Sequence, residues 1–461
     1  MTNIKCKVVL FILFRLLSVM PAVAQTHIVI PDGVTSIGFG AYSGHYDLTD
    51  ITIPKSVISI GEVPFSSCGR LNAITVDPLN PVYSSVDGVL FNKDKTKIIC
   101  YPGGKTGSFT IPDSVTSVDD YAFQNAAHIT SVIIPDSVTT IEWHSFYCCA
   151  ALTNVTIGKN VHKIADGEDE WIPFSECPSL ASIAVDALNP VYSSADGVLL
   201  KNNKAILIKY PEGKAGSYIV PNSVTKIETH SFSRSVHLTS VTIADSVNTI
   251  EDNAFENCFG LTNVIYGKKL KVVGDSAFTY CTNLTSIEIP DGVTKIGDGS
   301  FAECANLTNV IIGKGITSIG NGCFSDCRNL KSISVGAKNP TYTSADGVLI
   351  NMREATLVKC PEGKTGSYTI PNGISIITGF ALSSLTNVVV PKSVKRIEGQ
   401  AFLHSKVTAI YFEGNAPQII GLPRGAELLA FADCDNLTFY YRQGTRGWQS
   451  EFAGRPAVLW K

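Results

Sequence analysis

The sequence predicts a solenoid of stacked coils, and two observations support this fold class. Apolar residues alternate with polar ones over short runs, which is typical of strands with one buried face. Phenylalanines recur at an interval of about 23 residues, at Phe232, Phe255, Phe278, Phe301 and Phe324. About a dozen such units lie between residues 31 and 412, well above the roughly three repeats that a solenoid needs.

The unit at residues 135–157 shows how the first side of a coil is built. Leu152, Val155 and Ile157 fit the apolar pattern L-x-x-L-x-L of leucine-rich repeats, which predicts a strand with these side chains facing inward. A single coil cannot bury its apolar side alone. Neighbouring coils must therefore stack, with their strands forming a parallel sheet on one face.

The rest of this unit predicts the other two sides of the coil. Val138 and Ile141 predict a short second strand, and the stretch at residues 145–146 predicts a helical turn that places the Phe146 ring inside. Pro135 stands just after a strand, where its missing amide hydrogen and fixed φ mark a corner. The predicted coil therefore has three sides.

A frame of the form A/S-F-x-x-C recurs in the units, and we predict that its aromatic and thiol side chains form the repeat core. These residues are Phe146, Cys149, Phe255, Cys258, Phe278, Cys281, Phe301, Cys304, Phe324 and Cys327. The pattern resembles the BspA-type leucine-rich repeat family of bacterial surface and secreted proteins, which also occurs in some parasitic protists. The resemblance extends over nearly all of the chain after residue 24, and it implies a display scaffold whose ligands vary between members.

Three related segments of about 35 residues interrupt the repeats at residues 77–111, 186–220 and 336–370. Their length suits an extra coil that carries a β-hairpin, and each contains an Asp-Gly pair that signals a turn. We predict projecting hairpins in which Tyr83, Tyr192 and Tyr342 are either packed at the base or exposed as contact aromatics, and we favour packing.

The two ends of the chain differ from the repeats. Residues 1–24 combine two lysines, an apolar stretch and the sequence Ala-Val-Ala, which indicates a cleavable signal peptide rather than a short membrane anchor. Residues 25–412 form the predicted solenoid, without a segment apolar enough to span a membrane. Residues 413–461 are predicted to cap the last coil through Trp448, Phe452 and Trp460, with a carbohydrate site on these rings as the alternative.

The composition excludes one class of partner. Only 17% of the residues are charged, and the formal net charge of -3 is spread along the chain without a basic run. Binding a phosphate backbone requires a dense field of Lys and Arg. We therefore expect no nucleic-acid partner. We also expect no cofactor, and we expect a monomer that binds an extracellular protein or glycan.

The chain has 13 cysteines, and export would ordinarily suggest disulfides. Most of them, however, stand three residues after the repeat phenylalanine, at a core position where a free thiol packs as a small hydrophobe. Stacking would place neighbouring thiols about 5 Å apart with parallel Cα–Cβ bonds, a geometry that opposes a disulfide. We expect buried thiols, and we expect no zinc site, since no histidine or second cysteine pair stands at ligand spacing.

The sequence offers no catalytic constellation, which predicts a non-enzymatic protein. The eight histidines are scattered, and neither H-E-x-x-H nor G-x-S-x-G occurs. Most acidic residues fall at turn positions of the repeat. The exception is the loop at residues 165–171, where four carboxylates form either a weak calcium site or, as we favour, a solvated acidic loop.

The outward positions of the first strand are the best candidate for a binding site. They hold neutral, hydroxyl-rich and modestly apolar side chains, which suit an extended protein chain or a glycan better than a charged ligand. The predicted binding residues are Thr153, Asn154, Thr156, Thr262, Asn263, Ile265, Thr285, Ser286, Glu288, Thr308, Asn309 and Ile311. We also expect the hairpin tips of the insertions to contribute.

These observations favour an exported protein that mediates protein binding or adhesion at the cell surface or in secreted form. Two alternatives stay open. One is an exported structural scaffold without a specific ligand, and the other is a carbohydrate-binding accessory protein that uses the terminal aromatic residues.

Overall fold

The structure, a computed structural model, describes residues 26–165, 173–379, 381–382, 384–402, 405–421, 427–432 and 434–460. The chain divides into two compact units, Met1–Val191 and Tyr192–Lys461. Within each unit the described residues form a β-solenoid with parallel sheets, as predicted. The single helix in the described ranges is a short 3-10 helix, Glu427–Phe431.

The first strands of unit 1 (Met1–Val191) pair in parallel in two sheets. One sheet holds β1 (His27–Val29), β3 (Asp50–Ile53) and β5 (Ala73–Val76), and the other holds β9 (Gly107–Thr110), β11 (Ile129–Ile134), β13 (Asn154–Ile157) and β15 (Ser182–Val185). In β13, Val155 and Ile157 are buried whereas Asn154 and Thr156 are exposed. This alternation follows from the two-residue period of a strand.

The second strands of unit 1 are only two residues long in the regular coils. They are β2 (Ser36–Ile37), β4 (Ser59–Ile60), β10 (Ser117–Val118), β12 (Thr140–Ile141) and β14 (Lys163–Ile164). The first insertion contributes β6 (Tyr83–Val86), β7 (Val89–Asn92) and β8 (Lys97–Cys100), and β8 continues the second-strand sheet by pairing in parallel with β10.

Unit 2 (Tyr192–Lys461) repeats this organisation. Its first strands are β19 (Gly216–Ile219), β21 (Leu238–Thr242), β23 (Asn263–Ile265), β25 (Ser286–Ile289), β27 (Asn309–Ile312), β29 (Ser332–Val335), β33 (Ser367–Thr369), β35 (Asn387–Val390), β37 (Ala409–Phe412), β39 (Thr438–Arg442) and β41 (Arg455–Trp460). Its second strands are β18 (Ile206–Lys209), β20 (Lys226–Ile227), β22 (Thr249–Ile250), β24 (Val272–Val273), β26 (Lys295–Ile296), β28 (Ser318–Ile319), β32 (Thr356–Lys359), β34 (Ile376–Ile377), β36 (Arg396–Glu398) and β38 (Gln418–Ile420). The remaining strands are β16 (Tyr192–Ala195), β17 (Val198–Lys201), β30 (Tyr342–Ala345), β31 (Val348–Asn351) and β40 (Glu451–Phe452).

The third side of the coil differs from the predicted helical turn. In the coil around Phe278, Ser276 and Tyr280 have φ of 51° and 60°. A residue in this left-handed region interrupts an α-helix, so the segment forms consecutive tight turns instead. Successive turns are hydrogen-bonded to each other, as where the Phe278 amide donates to the Ser300 carbonyl at 2.7 Å. In the next two coils Gly299 and Gly322 hold the position of Ser276, with φ of 59° and 60°, a glycine signal that the sequence reasoning missed.

The three insertions each form a hairpin whose strands lie in the solenoid wall. In the first, β6 pairs antiparallel with β7, and β7 pairs antiparallel with β8. Val89, Leu90 and Phe91 of β7 are at most 1% exposed, so the middle strand of the hairpin contributes to the core. The insertion tyrosines are packed rather than exposed, which is the alternative that we favoured. Tyr83, Tyr192 and Tyr342 are 9%, 3% and 6% exposed. The hydroxyl of Tyr342 accepts a hydrogen bond from the Ile319 amide at 3.1 Å.

Candidate binding surface

Two rows of side chains form the first-strand face, which we define as the outward side of the first strands. The parallel register aligns one residue of each strand with its counterpart in the next coil. The first, the isoleucine row, comprises Val29, Thr52, Thr75, Thr110, Ile133, Thr156 and Ala184 in unit 1 and Ile219, Thr242, Ile265, Glu288, Ile311, Ser334, Thr369, Val389, Tyr411, Tyr440 and Val458 in unit 2.

The second row lies two residues earlier in the strands and is built mainly from small polar side chains, although His27, Ala73 and Ala409 hold the same register position in three strands. This serine-asparagine row includes Asp50, Ser108, Ser131, Asn154 and Ser182 in unit 1 and Ser217, Ser240, Asn263, Ser286, Asn309, Ser332, Ser367 and Asn387 in unit 2. Carboxylates enter these two rows only at Asp50 and Glu288. The face therefore offers hydroxyl, amide and methyl groups with little charge.

The predicted binding residues divide between these rows and a third position. Thr156, Ile265, Glu288 and Ile311 belong to the isoleucine row and are exposed, with Ile265 and Ile311 at 54% and 42%. Asn154, Asn263, Ser286 and Asn309 belong to the serine-asparagine row and are exposed or half-buried. The third position, just before the strand, holds Thr153, Thr262, Thr285 and Thr308.

The threonines of this third position bond within the stack. The hydroxyls of three of them each donate to a threonine carbonyl one coil earlier, at 2.9 Å. The donor and acceptor pairs are Thr153 with Thr130, Thr262 with Thr239, and Thr308 with Thr285. These hydroxyls contribute to the alignment of coils, a role that the sequence reasoning missed although the 23-residue spacing of the threonines was visible.

Behind the first-strand face, the repeat phenylalanines form a ladder of stacked rings. In unit 2 the ring centroids of Phe255 and Phe278 are 4.8 Å apart, and those of Phe278 and Phe301 are 5.2 Å apart. In unit 1, Phe146 stacks on Phe123 at 4.7 Å. The predicted core residues Phe146, Cys149, Phe255, Cys258, Phe278, Cys281, Phe301, Cys304, Phe324 and Cys327 are at most 2% exposed.

The cysteines of the same frame form a second ladder. Each thiol donates to the carbonyl of the phenylalanine one coil earlier, as Cys281 does to Phe255 at 3.2 Å and Cys304 to Phe278 at 3.3 Å. The twelve cysteines in the described ranges are free thiols. Burial raises the pKa of Cys281 and Cys304 well above the ordinary value, which is the opposite of the shift that activates a nucleophilic thiol.

Comparison with known proteins agrees with this architecture. The profile of the BspA type leucine-rich repeat region matches the chain in six copies, over residues 22–103, 96–195, 210–333 and 350–439. The chain belongs to the BspA-type leucine-rich repeat family. No curated protein matches the sequence.

Two solved structures show how far the likeness of this BspA-type chain extends. A leucine-rich cell surface protein from Faecalibacterium prausnitzii A2-165 is 30% identical, over 67% of this chain and 87% of that one, with a TM-score of 0.53. A leucine-rich repeat protein from Eubacterium ventriosum ATCC 27560 is 23% identical, over 87% of this chain and 86% of that one, with a TM-score of 0.52. The second likeness concerns the fold alone.

The second-strand face of this BspA-type solenoid, the outward side of the second strands, has a different chemistry. Basic side chains occupy its outward positions in several coils, and many pair with a carboxylate nearby. Lys97 pairs with Asp119 at 2.8 Å, and Lys163 pairs with Glu142 at 2.8 Å. Lys226 bridges two carboxylates, Glu228 at 2.9 Å and Glu251 at 3.1 Å. Charge on this face is therefore largely compensated within the chain.

The terminal aromatic residues divide between packing and exposure. Trp448 stacks on Tyr441 with centroids 5.3 Å apart, and its indole nitrogen donates to the Gly414 carbonyl at 3.2 Å. Phe452 lies edge-on to Phe439 at 5.4 Å. Trp460 lies beside Tyr411, with the Arg442 guanidinium 4.6 Å from its ring centroid. Of the three aromatic residues predicted to cap the last coil, Trp448 and Phe452 thus pack on the last coils, and the Arg442 guanidinium covers one face of Trp460.

Metal clusters and membrane-spanning helices were sought in the described part of the chain. No group of three or more His, Cys, Asp or Glu side chains is arranged there to hold a metal ion. No helix in those ranges is both long enough and apolar enough to cross a bilayer. Four carboxylates of the predicted acidic loop, Asp166, Glu168, Asp169 and Glu170, lie outside the described residues, as does the predicted signal peptide at residues 1–24.

Proposed function

We propose that this chain is an exported, non-enzymatic binding protein that engages an extracellular protein or glycan through its first-strand face, with the hairpin tips contributing. The observation that carries the proposal is the exposed aliphatic side chain that recurs in the isoleucine row. Ile133 is 47% exposed in unit 1, and Ile219, Ile265 and Ile311 are 72%, 54% and 42% exposed in unit 2.

Solvent-exposed isoleucines at one register position have no role in the core, since the buried positions of the same strands already fill it. Together with the hydroxyl and amide groups of the serine-asparagine row, they offer an extended partner a series of small apolar contacts flanked by hydrogen-bonding groups. The scarcity of charge on this face favours a partner recognised by shape and hydrogen bonds. Membership in a family of repeat proteins and likeness to a cell surface protein support the same assignment.

Site-specific photocrosslinking tests the binding face. A benzophenone amino acid is placed at Ile311 in one variant and, as the matched control, at Ser318 on the second-strand face, where the side chain is also exposed. Both proteins are irradiated with intact cells and cell-surface extracts. We expect a discrete adduct from position 311 and none from position 318. Equal adducts from both faces, or none from either, would favour the structural scaffold without a specific ligand.

Export is tested separately by following the N-terminus. We expect the protein collected outside an expressing bacterium to begin at Gln25, because residues 22–24 supply the small side chains that a signal peptidase requires. Intact-mass spectrometry measures this directly. Recovery of the uncleaved chain inside the cell alone would contradict the export part of the proposal and would leave the binding face to be tested as above.

A further inference from the structure

A cavity of about 210 Å³ lies in unit 1, where the first insertion separates two turn segments that would otherwise stack. Its walls come from the turn at residues 61–68, the end of β8 and the turn at residues 119–125. The insertion crosses this gap with a shorter turn, held by a hydrogen bond from the Tyr101 amide to the Ala122 carbonyl at 2.7 Å. The volume far exceeds the roughly 10–15 Å³ that one water molecule needs.

The other two insertions place a lysine at the corresponding point. When the three insertions are aligned, Cys100 corresponds to Lys209 and Lys359. In each hairpin this residue lies opposite the same position of the neighbouring strand. Lys209 forms a buried ion pair with Glu212 at 2.8 Å, and Lys359 pairs with Glu362 at 2.8 Å. The third insertion also borders a wider groove of about 900 Å³, but there Lys359 supplies an ammonium group to the lining.

The first insertion has no such ammonium, yet its cavity is lined by acceptors. Asp120 Oδ1 and Gln124 Oε1 are buried atoms without a hydrogen-bond partner among the described residues. Glu62 adds an exposed carboxylate to the same lining. Of the acidic residues here, Asp119 has a cation of its own, since Lys97 pairs with it at 2.8 Å. Burial, followed by the charge of Asp119, raises the pKa of Asp120, and this outweighs the lowering effect of a backbone hydrogen bond at Trp143 and of the charge of Lys97.

The rest of the lining suits a short hydrocarbon chain. Ile60, Pro64, Phe65 and Ile99 contribute apolar surface between the acceptors. A ligand that matches this lining has a methylene body and carries at least one ammonium group. Amines of this kind are chemically equivalent to the lysine side chain that the other two insertions hold covalently.

We propose that this cavity binds a small linear aliphatic amine, with a diamine of about four to five carbons as the best fit. One ammonium group donates to Asp120 and Gln124, the methylene chain contacts the apolar walls, and the second ammonium group lies near Glu62. The proposal is independent of the first-strand face and concerns a small molecule rather than a macromolecular partner.

Titration calorimetry of the purified protein with 1,4-diaminobutane at neutral pH and low salt tests the proposal. We expect one molecule to bind per chain, and butane-1,4-diol, which has the same length without charge, to give no heat. Asp120→Asn should weaken binding by at least about tenfold, since it removes the ionised partner of the ammonium group. Asp113→Asn, which removes an exposed carboxylate in a neighbouring turn, is the matched control and should bind as the wild type does.

A second variant keeps the test independent of any folding defect at Asp120. Cys100→Lys places in the cavity the side chain that the other insertions carry, and we expect it to abolish diamine binding while circular dichroism stays unchanged. We prefer this site to Gly103, where an added Cβ would lie 3.0 Å from the Cys68 carbonyl oxygen. Absence of heat with the wild type at about 10 mM diamine, or equal affinity in the wild type, Asp120→Asn and Cys100→Lys, would overturn the proposal.

Discussion

The first-strand face and the second-strand face lie over the same core and have the same spacing between coils, yet their chemistry is opposite. On the second-strand face, lysines such as Lys163 and Lys226 pair with carboxylates of neighbouring turns. On the first-strand face, the isoleucine row is nearly uncharged and exposes aliphatic side chains such as Ile265. One face therefore satisfies its own polar groups, whereas the other leaves apolar groups in contact with water.

This difference is the reason why we propose the first-strand face, and not the second-strand face, as the binding surface. On the second-strand face each paired lysine already interacts with a carboxylate, so a ligand that binds the lysine would have to displace that carboxylate. An exposed isoleucine gains from any apolar contact that removes it from water, by about 25 cal/mol for each Å² covered.

The largest effect is expected at the buried ion pair of β18. Lys209 and Glu212 have side chains only 1% and 3% exposed, so Glu212→Gln leaves a buried ammonium group without its counter-charge. We expect a loss of about 3–5 kcal/mol in the free energy of unfolding, measured by urea denaturation. The control is Glu251→Gln, whose pair with Lys226 is about one-third exposed and should contribute at most about 1 kcal/mol. Equal losses would show that burial does not separate these pairs.

The next effect contrasts two neighbouring residues of β27. Ile312 is buried at 0% exposure and Ile311 is 42% exposed on the isoleucine row. Ile312→Ala should cost about 2–5 kcal/mol because it leaves a cavity, whereas Ile311→Ala should change stability by at most about 0.5 kcal/mol. Thermal and urea unfolding of the two variants give the comparison. A similar loss in both would mean that the isoleucine row is structural rather than available for binding.

The smallest effect concerns the threonine hydroxyls beside the first-strand face. Thr308→Val removes the hydroxyl that donates to the Thr285 carbonyl, and we expect a loss of about 0.5–1.5 kcal/mol. Thr156→Val, at an exposed position of the isoleucine row, should alter stability by less than about 0.5 kcal/mol. If the two substitutions have the same effect on unfolding, the hydrogen bond between coils contributes nothing measurable.

The sequence predicted those features of the fold that depend on periodicity. The spacing of Leu152, Val155 and Ile157 predicted the first strand, and Ile141 marks the second one. The helical turn predicted at residues 145–146 was wrong, since His144 and Cys148 have φ of 53° and 59°. Ser276 and Tyr280 hold the equivalent left-handed positions around Phe278, and neither residue type favours this conformation.

For the candidate site, the sequence predicted which side chains of the first strands point outward, but not the hydrogen bonds between neighbouring coils. Strand periodicity alone places Ile265 and Ile311 outside. Nothing local to a threonine shows that its hydroxyl will reach the carbonyl of the preceding coil, because that contact depends on the register between coils. The pair of Lys209 and Glu212 was missed for a related reason. In sequence it resembles an ordinary solvated pair, and the hint was the recurrence of K-x-P-E in the third insertion.

The most direct test of the central claim is the affinity for the crosslinked partner after charge is placed along the isoleucine row. Ile265, Glu288 and Ile311 are changed together to Lys. In the control, Asn248, Ser318, Asn321 and Gln418, which are exposed positions outside the first-strand face, are changed to Lys to match the added positive charge. We predict that the row variant folds normally and loses affinity by at least about tenfold, while the control binds as the wild type does. Unchanged affinity in the row variant, with binding lost when residues 436–461 are altered instead, would contradict this account and move the site to the terminal aromatic residues.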